Sequence, residues 1–217
     1  MRQRGIFISF EGSEGCGKST QIGRLAETLK ARNIPFVTAR EPGGTDIGEN
    51  IRQLLKHADV ALCPHTELFL FAASRAQLVR EVFKPALLNG ISVITDRYFD
   101  STAVYQGSAR SLPSELVECV NRHAVDHCIP DITFLLDMDA ALALKRATER
   151  HTEDEPEDRL EQEPADFYER VREAYLQRAQ HEPGRFVVLD AKRSVDALSQ
   201  TILKTLETRW PFQLRTP

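Results

Sequence analysis

The chain has 217 residues, 41% hydrophobic and 28% charged, with 11 Gly and 11 Pro, a composition long enough for one substantial core and outside the collagenous, low-complexity and wholly disordered classes. Lys plus Arg number 28 against 32 Asp plus Glu, a formal net charge of -4. This argues against a broadly basic surface for nucleic acid while leaving room for a local phosphate pocket. The expectation is one domain over residues 1–217, with no nucleic-acid partner.

Short runs rich in Ile, Val and Phe at 5–10, 35–39, 91–95, 132–136 and 185–189 read as strands covered on both faces. Between them, helical periodicity covers 18–32, 46–57, 65–88, 114–127, 139–150, 165–181 and 194–208. This alternation predicts an α/β fold with a five-stranded parallel sheet and helices on both sides, a three-layer arrangement. The segment Arg40-Glu41-Pro42-Gly43-Gly44-Thr45 stops both strand and helix. Within residues 151–164, Glu153, Asp154, Glu155, Glu157 and Asp158 cluster around Pro156, and the segment reads as an exposed loop. The apolar run at 6–10 is shorter than a signal h-region, and no stretch approaches the ~18 apolar residues of a membrane span. Cys16, Cys63, Cys119 and Cys128 form no C-x-x-C pair and no metal-spaced cluster with His, so reduced thiols and a cytoplasmic location, away from membranes, are expected.

Gly12-Ser13-Glu14-Gly15-Cys16-Gly17-Lys18-Ser19 fits G-x-x-x-x-G-K-[ST], directly after an expected strand and opening an expected helix. Residues without side chains let backbone N–H groups wrap phosphate oxygens, and the helix adds its positive end. Lys18 would meet the β and γ phosphates and Ser19 the Mg²⁺. A second metal-side acid is needed. The strands ending in Asp96 and Asp137 each offer one, and Asp96 is favoured because Arg97 follows it at once with a fork suited to a phosphate. Arginines beyond the ATP site would serve an acceptor phosphate, the candidates being Arg40, Arg75, Arg97, Arg146, Arg150 and Arg159. D-x-x-G and N-K-x-D are absent, which removes the switch GTPases.

These residues, with Phe10 through Thr20, Phe71-Ala72-Ala73-Ser74-Arg75-Ala76-Gln77, Asp96-Arg97-Tyr98 and Thr102 through Tyr105-Gln106-Gly107, strongly resemble bacterial thymidylate kinase, in family order over nearly the whole chain. The resemblance implies an adenylate-kinase-like P-loop NTPase fold, a homodimer, and transfer from ATP to dTMP with Mg²⁺, feeding dTTP synthesis. It implies that the loop from Gly12 to Thr20 (Gly12, Ser13, Glu14, Gly15, Cys16, Gly17, Lys18, Ser19 and Thr20) binds ATP. Ser19 and Asp96 would sit at the metal. Arg40 and Arg97 would hold the acceptor phosphate, Phe71 stack on thymine, Arg75 reach its carbonyl, Thr102 and Gln106 meet the base edge, and Glu14 read the 3′-hydroxyl. Tyr105 is either packing or contact.

The resemblance further places this chain in the subgroup with Gly in the P-loop, here Gly15, where an insertion at about 150–163 forms a lid whose Arg150 and Arg159 supply the missing cation. It places adenine near Asp190-Ala191-Lys192. Lys18, Asp96, Arg97, Arg150 and Arg159 are thus the expected catalytic groups. Two departures stand out. The lid is longer and more acidic than the common pattern, and Cys16 stands where Ala is usual, either as a small residue that merely fits or, at a helix N-terminus, as a thiol activated toward alkylation. A deoxynucleoside kinase and a P-loop regulator without turnover are the competing readings.

Overall fold

The computed structural model describes residues 4–57, 61–149 and 163–211. Arg150, Arg159, the acidic loop and all but the last residue of the expected lid lie outside them. Among the described residues, β1 (Phe7–Glu11), β2 (Phe36–Arg40), β3 (Ser92–Asp96), β4 (Ile132–Asp137) and β5 (Phe186–Asp190) form one sheet in the order β2-β3-β1-β4-β5. All four neighbouring pairs are parallel, with Phe10 opposite Asp96 and Phe134 in the registers that flank β1.

Alternation along the strands divides the core. Ile6, Ile8 and Phe10 join Ile94, Phe134 and Leu136 beneath α1 (Lys18–Ala31) and α9 (Val195–Arg209), which contribute Leu25, Leu29, Ile202 and Leu206. Phe7 and Val93 face the other way, against Leu78, Phe83 and Tyr98. On that side Leu135 and Phe186 pack under α8 (Ala165–His181) through Phe167, Val171 and Tyr175. Each such fully buried large apolar side chain contributes roughly 1.5–3 kcal/mol, which is why β1, covered on both faces, carries no exposed residue.

The helical stretch expected at 65–88 is divided. It runs as α3 (Pro64–Leu78), a π-helical turn at Val79–Phe83, and α4 (Lys84–Leu88). Pro85 has no N–H to give to the ladder, and the Lys84 N–H reaches back five residues to the Val79 carbonyl. A second helical stretch, absent from the expectations, comprises α5 (Phe99–Thr102) and a π-helical segment at Ala103–Ala109. The remaining helices are α2 (Asp46–His57), α6 (Ser114–Val125) and α7 (Ala140–Thr148). The carboxyl ends of β1, β2 and β3 open toward α2, α3 and the 99–109 segment, and the cleft between them is where ligands bind in sheets of this kind.

Candidate active site

The loop from Gly12 to Gly17 joins β1 to α1. Gly12, Gly15 and Gly17 have φ of 135°, 74° and 99°, values that L side chains rarely adopt. At Gly15 space forbids a side chain as well, because an added Cβ would lie 2.1 Å from the Ala143 carbonyl oxygen on α7. Lys18 Nζ donates to the carbonyls of Gly12 and Ser13 at 3.0 and 2.9 Å, holding the ammonium over the loop. Of the two readings of Cys16, burial favours the small residue that merely fits, rather than the activated thiol. Cys16 is 2% exposed, belongs to the core beneath α1, and its Sγ lies 3.8 Å from Lys18 Nζ.

Of the two strand-end acids, Asp96 accepts from Ser19 Oγ at 3.0 Å. Asp137 is instead gripped by Arg172 through two bonds of 2.6 and 2.9 Å, leaving that carboxylate committed to α8. Ser19 and Asp96 thus present two hard oxygen donors beside Lys18, a donor set suited to Mg²⁺.

Arg97 follows Asp96 with φ 68°, an unfavourable conformation for a non-glycine residue, costing on the order of 1–3 kcal/mol. The turn is fixed by the Arg97 N–H donating to the Phe10 carbonyl at 2.9 Å and the Thr95 hydroxyl donating to the Arg97 carbonyl at 2.9 Å. It aims the guanidinium into the cleft, where Nη2 meets Glu14 Oε1 at 2.6 Å and the group lies 4.9 Å over the Tyr105 ring. Tyr105 donates its hydroxyl to Glu14 Oε2 at 2.8 Å, so it is both packing and a site residue. Burial acts to lower the Arg97 pKa, but Tyr105, Glu14, Tyr175 and Asp96 outweigh it and keep the cation firmly charged. Arg40, at the end of β2, also lines the cleft and among the described residues makes only a long 3.4 Å pair with Glu49.

The far end of the cleft holds Phe71, Arg75, Thr102 and Gln106. Phe71 is half-buried on α3. Arg75 is 1% exposed; its Nε donates to Glu41 Oε2 at 2.7 Å and its Nη1 to Thr102 Oγ1 and Asn121 Oδ1 at 3.0 and 3.1 Å. The second oxygen of Glu41 is buried with no hydrogen-bond partner among the described residues, and burial, opposed by Arg75, pushes its pKa up to about 7. Gln106 Nε2 donates to Glu67 Oε1 at 2.7 Å, and Glu67 is fully buried on α3.

Two further buried acids brace these groups. Glu11 accepts from the Tyr98 N–H, the Ser101 hydroxyl and the Tyr175 hydroxyl at 2.8, 2.7 and 2.8 Å; burial, then the charge of Asp100, raises its pKa. Asp100 is clamped between Arg178 and Arg185. Glu11, Glu41, Glu67 and Asp100 were missed in the sequence because an acid is by type a surface residue. The one signal was position, since Glu11 ends β1 and Glu41 sits in the 40–45 turn.

The cleft therefore gathers Glu14, Gly15, Gly17, Lys18, Ser19, Arg40, Phe71, Arg75, Asp96, Arg97, Thr102 and Gln106. Gly12, Ser13, Cys16 and Thr20 belong to the same loop and first helical turn without forming its wall. Arg146 is exposed on α7 and does not line the cleft. Asp190-Ala191-Lys192 lies at the end of β5 beside Asp137, where the Ala191 N–H donates to the Asp137 carbonyl at 2.9 Å.

A family model described as Thymidylate kinase matches residues 10–202. A thymidylate kinase of Fervidobacterium nodosum is 44% identical over 199 residues, 92% of this chain and 97% of that protein. One of Geobacter sulfurreducens is 45% identical over 210 residues, 95% and 99% of the two chains. The crystal structure of thymidylate kinase from Ehrlichia chaffeensis superposes with a TM-score of 0.77 at 32% identity, covering 94% of this chain and 99% of that one.

Proposed function

The chain belongs to the thymidylate kinase family and phosphorylates dTMP, and we propose that it does so with ATP as donor and Mg²⁺ as cofactor, by positioning and electrostatics without a protein nucleophile. The observation that carries this reading is that Arg40 and Arg97, two cations beyond Lys18, line the same cleft as the P-loop. A neutral hydroxyl acceptor, as in a nucleoside kinase, would not need them.

ATP phosphates lie along the loop from Gly12 to Thr20, under the Lys18 ammonium and the positive end of α1. Ser19 and Asp96 hold Mg²⁺, which when bound neutralises charge on the phosphates. Arg40 and Arg97 bring the dTMP phosphate against the donor, overcoming the repulsion between two anions. Phe71 stacks on the base, Arg75 donates to its 4-carbonyl, Thr102 and Gln106 meet its edge, and Glu14 accepts from the 3′-hydroxyl while steering Arg97. With no room for a side chain at Gly15, the further cation comes from elsewhere. Arg150 and Arg159, in the expected lid, are the proposed source, in keeping with the proposed subgroup with Gly in the P-loop.

The exposed Ile47 and Leu54 of α2 and Phe69 of α3 lie on two helices packed on each other, an apolar face that fits the proposed homodimer. Among the described residues no helix is long and apolar enough to cross a membrane; a cytoplasmic site of action is the reading consistent with four free thiols. The test is ADP formation from ATP and Mg²⁺ with dTMP, dUMP, dCMP, AMP or thymidine as acceptor. Preference for dTMP supports the reading; turnover only with thymidine would make the chain a nucleoside kinase, and no acceptor-dependent ADP would make it a regulator.

A further inference from the structure

We infer that Glu67 is the positioning residue that decides which edge of Gln106 faces the nucleobase, and thereby sets selection for pyrimidines carrying an N3–H and a 4-carbonyl over 4-amino pyrimidines. Glu67, Phe71 and Arg75 lie at four-residue spacing on one face of α3; Phe71 and Arg75 line the cleft, and Glu67 reaches it through Gln106. Glu67 is fully buried. Its carboxylate is balanced by Arg110, whose Nε lies 3.2 Å from Oε1 and whose Nη2 lies 3.4 Å from Oε2; Arg110 is itself anchored to Glu163 at 2.7 Å.

A carboxylate only accepts, and an amide has one donating and one accepting end. With Gln106 Nε2 donating to Glu67 at 2.7 Å, the amide is fixed in one of its two flips. The reverse flip would set a carbonyl oxygen against a buried anion, lone pair against lone pair, a costly arrangement where water is excluded. One N–H of that nitrogen is thus committed to Glu67. Gln106 Oε1 has no hydrogen bond among the described residues and is not one of the sealed, orphaned atoms of the core, and Gln106 lines the cleft. What the amide offers a base is an acceptor.

Thymine and uracil carry a donor at N3 and an acceptor at C4, whereas cytosine carries the reverse. Gln106 Oε1 pairs with N3–H, and Arg75, which can only donate, pairs with the 4-carbonyl. Cytosine would face lone pair against lone pair at one point and donor against donor at the other. Rejection of a mispaired base in a buried polar site is steep because the site's own groups are left unpaired.

This inference rests on the proposal that Gln106 meets the base edge, and the test separates the two. Values of kcat/KM for dTMP, dUMP and dCMP, together with KM for ATP, are measured for the parent enzyme and for E67Q, E67D and Q106A. In E67Q the neutral amide can donate to Gln106 and permit the reverse flip. The dTMP to dCMP ratio should fall at least about tenfold, chiefly through KM for the nucleoside monophosphate, with dUMP following dTMP and KM for ATP unmoved. Asp retains the acceptor character, so E67D should keep a ratio well above that of E67Q; equal losses in both would mean that Glu67 merely packs, and the inference falls. A ratio preserved in E67Q but collapsed in Q106A overturns the role of Glu67 alone. A ratio preserved in Q106A as well overturns the reading of Gln106 and this inference with it.

Discussion

Glu14 on the P-loop and Arg97 at the end of β3 meet at 2.6 Å across the cleft, tying the loop after β1 to the turn after β3. The pair is mostly buried, with side-chain exposures of 13% and 17%, and Tyr105 holds the second Glu14 oxygen. Arg97 is therefore aimed by its left-handed backbone, by a carboxylate and by a ring. Such preorganisation lets a cation stabilise developing charge without reorganising during transfer.

Arg97→Ala should lower kcat/KM for dTMP by at least about a hundredfold while leaving ATP affinity nearly intact, because Lys18 is anchored by loop carbonyls and not by Arg97. Steady-state kinetics with equilibrium binding of an ATP analogue checks this. Unchanged turnover would remove Arg97 from the acceptor site.

Gly15→Ala should weaken ATP binding at least about tenfold. A left-handed φ alone disfavours an L residue by roughly 1–2 kcal/mol, and here the new Cβ would also collide with the Ala143 carbonyl 2.1 Å away. Backbone must move on both sides of the contact, so the loop loses its shape around phosphate. Calorimetric titration of ATP into both proteins measures the loss.

The P-loop was legible because its glycines, lysine and serine are contiguous and flanked by a continuous apolar strand and a periodic helix. The five strands were legible for the same reason, each displaced by only a residue or so at its ends. The 99–109 segment was not. It carries the buried residues Phe99, Asp100, Ser101, Thr102, Val104, Tyr105 and Gln106 and is enclosed by α6 and α8, so it lacks the solvent-facing stripe that makes a helix visible as periodicity. Phe71, in an apolar run, was assignable to the cleft only through the resemblance. The acids behind Arg75 and Gln106 gave no signal beyond the place of Glu41 in the 40–45 turn, because their role depends on contacts 34 and 39 residues away.

Thiol chemistry should divide the four cysteines. Cys63 and Cys119 are exposed, whereas Cys16 and Cys128 are buried, and burial raises the Cys128 pKa to about 11. A chromogenic disulfide reagent should spare Cys16 and Cys128 in the native protein and reach them in denaturant, as read by peptide mapping. Rapid native labelling of Cys16 that ATP suppresses would overturn its placement in the core.

Asp100→Asn should destabilise the fold by about 3–5 kcal/mol, since it leaves Arg178 and Arg185 against a buried neutral amide. Burial raises the Asp100 pKa, but Arg185 and Arg178 outweigh it and the result lies below 3.8. Its stabilisation is therefore fully present above the unfolded pKa and is lost only as pH falls through the lower folded value. The urea midpoint at pH 7 should drop sharply in the variant, with the difference narrowing toward strong acid.

Glu41 has the opposite linkage. Its pKa rises from 4.5 in the unfolded chain to about 7 in the fold, so between these values the folded state binds more protons and stability falls as pH rises. The shift corresponds to a penalty on the order of 3 kcal/mol once Glu41 is ionised. Glu11, raised in the same direction, adds to the slope. Glu41→Gln removes one of the two titrations, so its stability should decline less steeply between pH 5 and pH 8 than that of the parent. Absolute stability is a poor readout, because the substitution also deprives Arg75 of its counter-charge. The slope is the proper one, taken from urea unfolding at four or five pH values. Parallel curves for the two proteins would mean that Glu41 titrates alike folded and unfolded, with the Arg75 pair fully offsetting its burial.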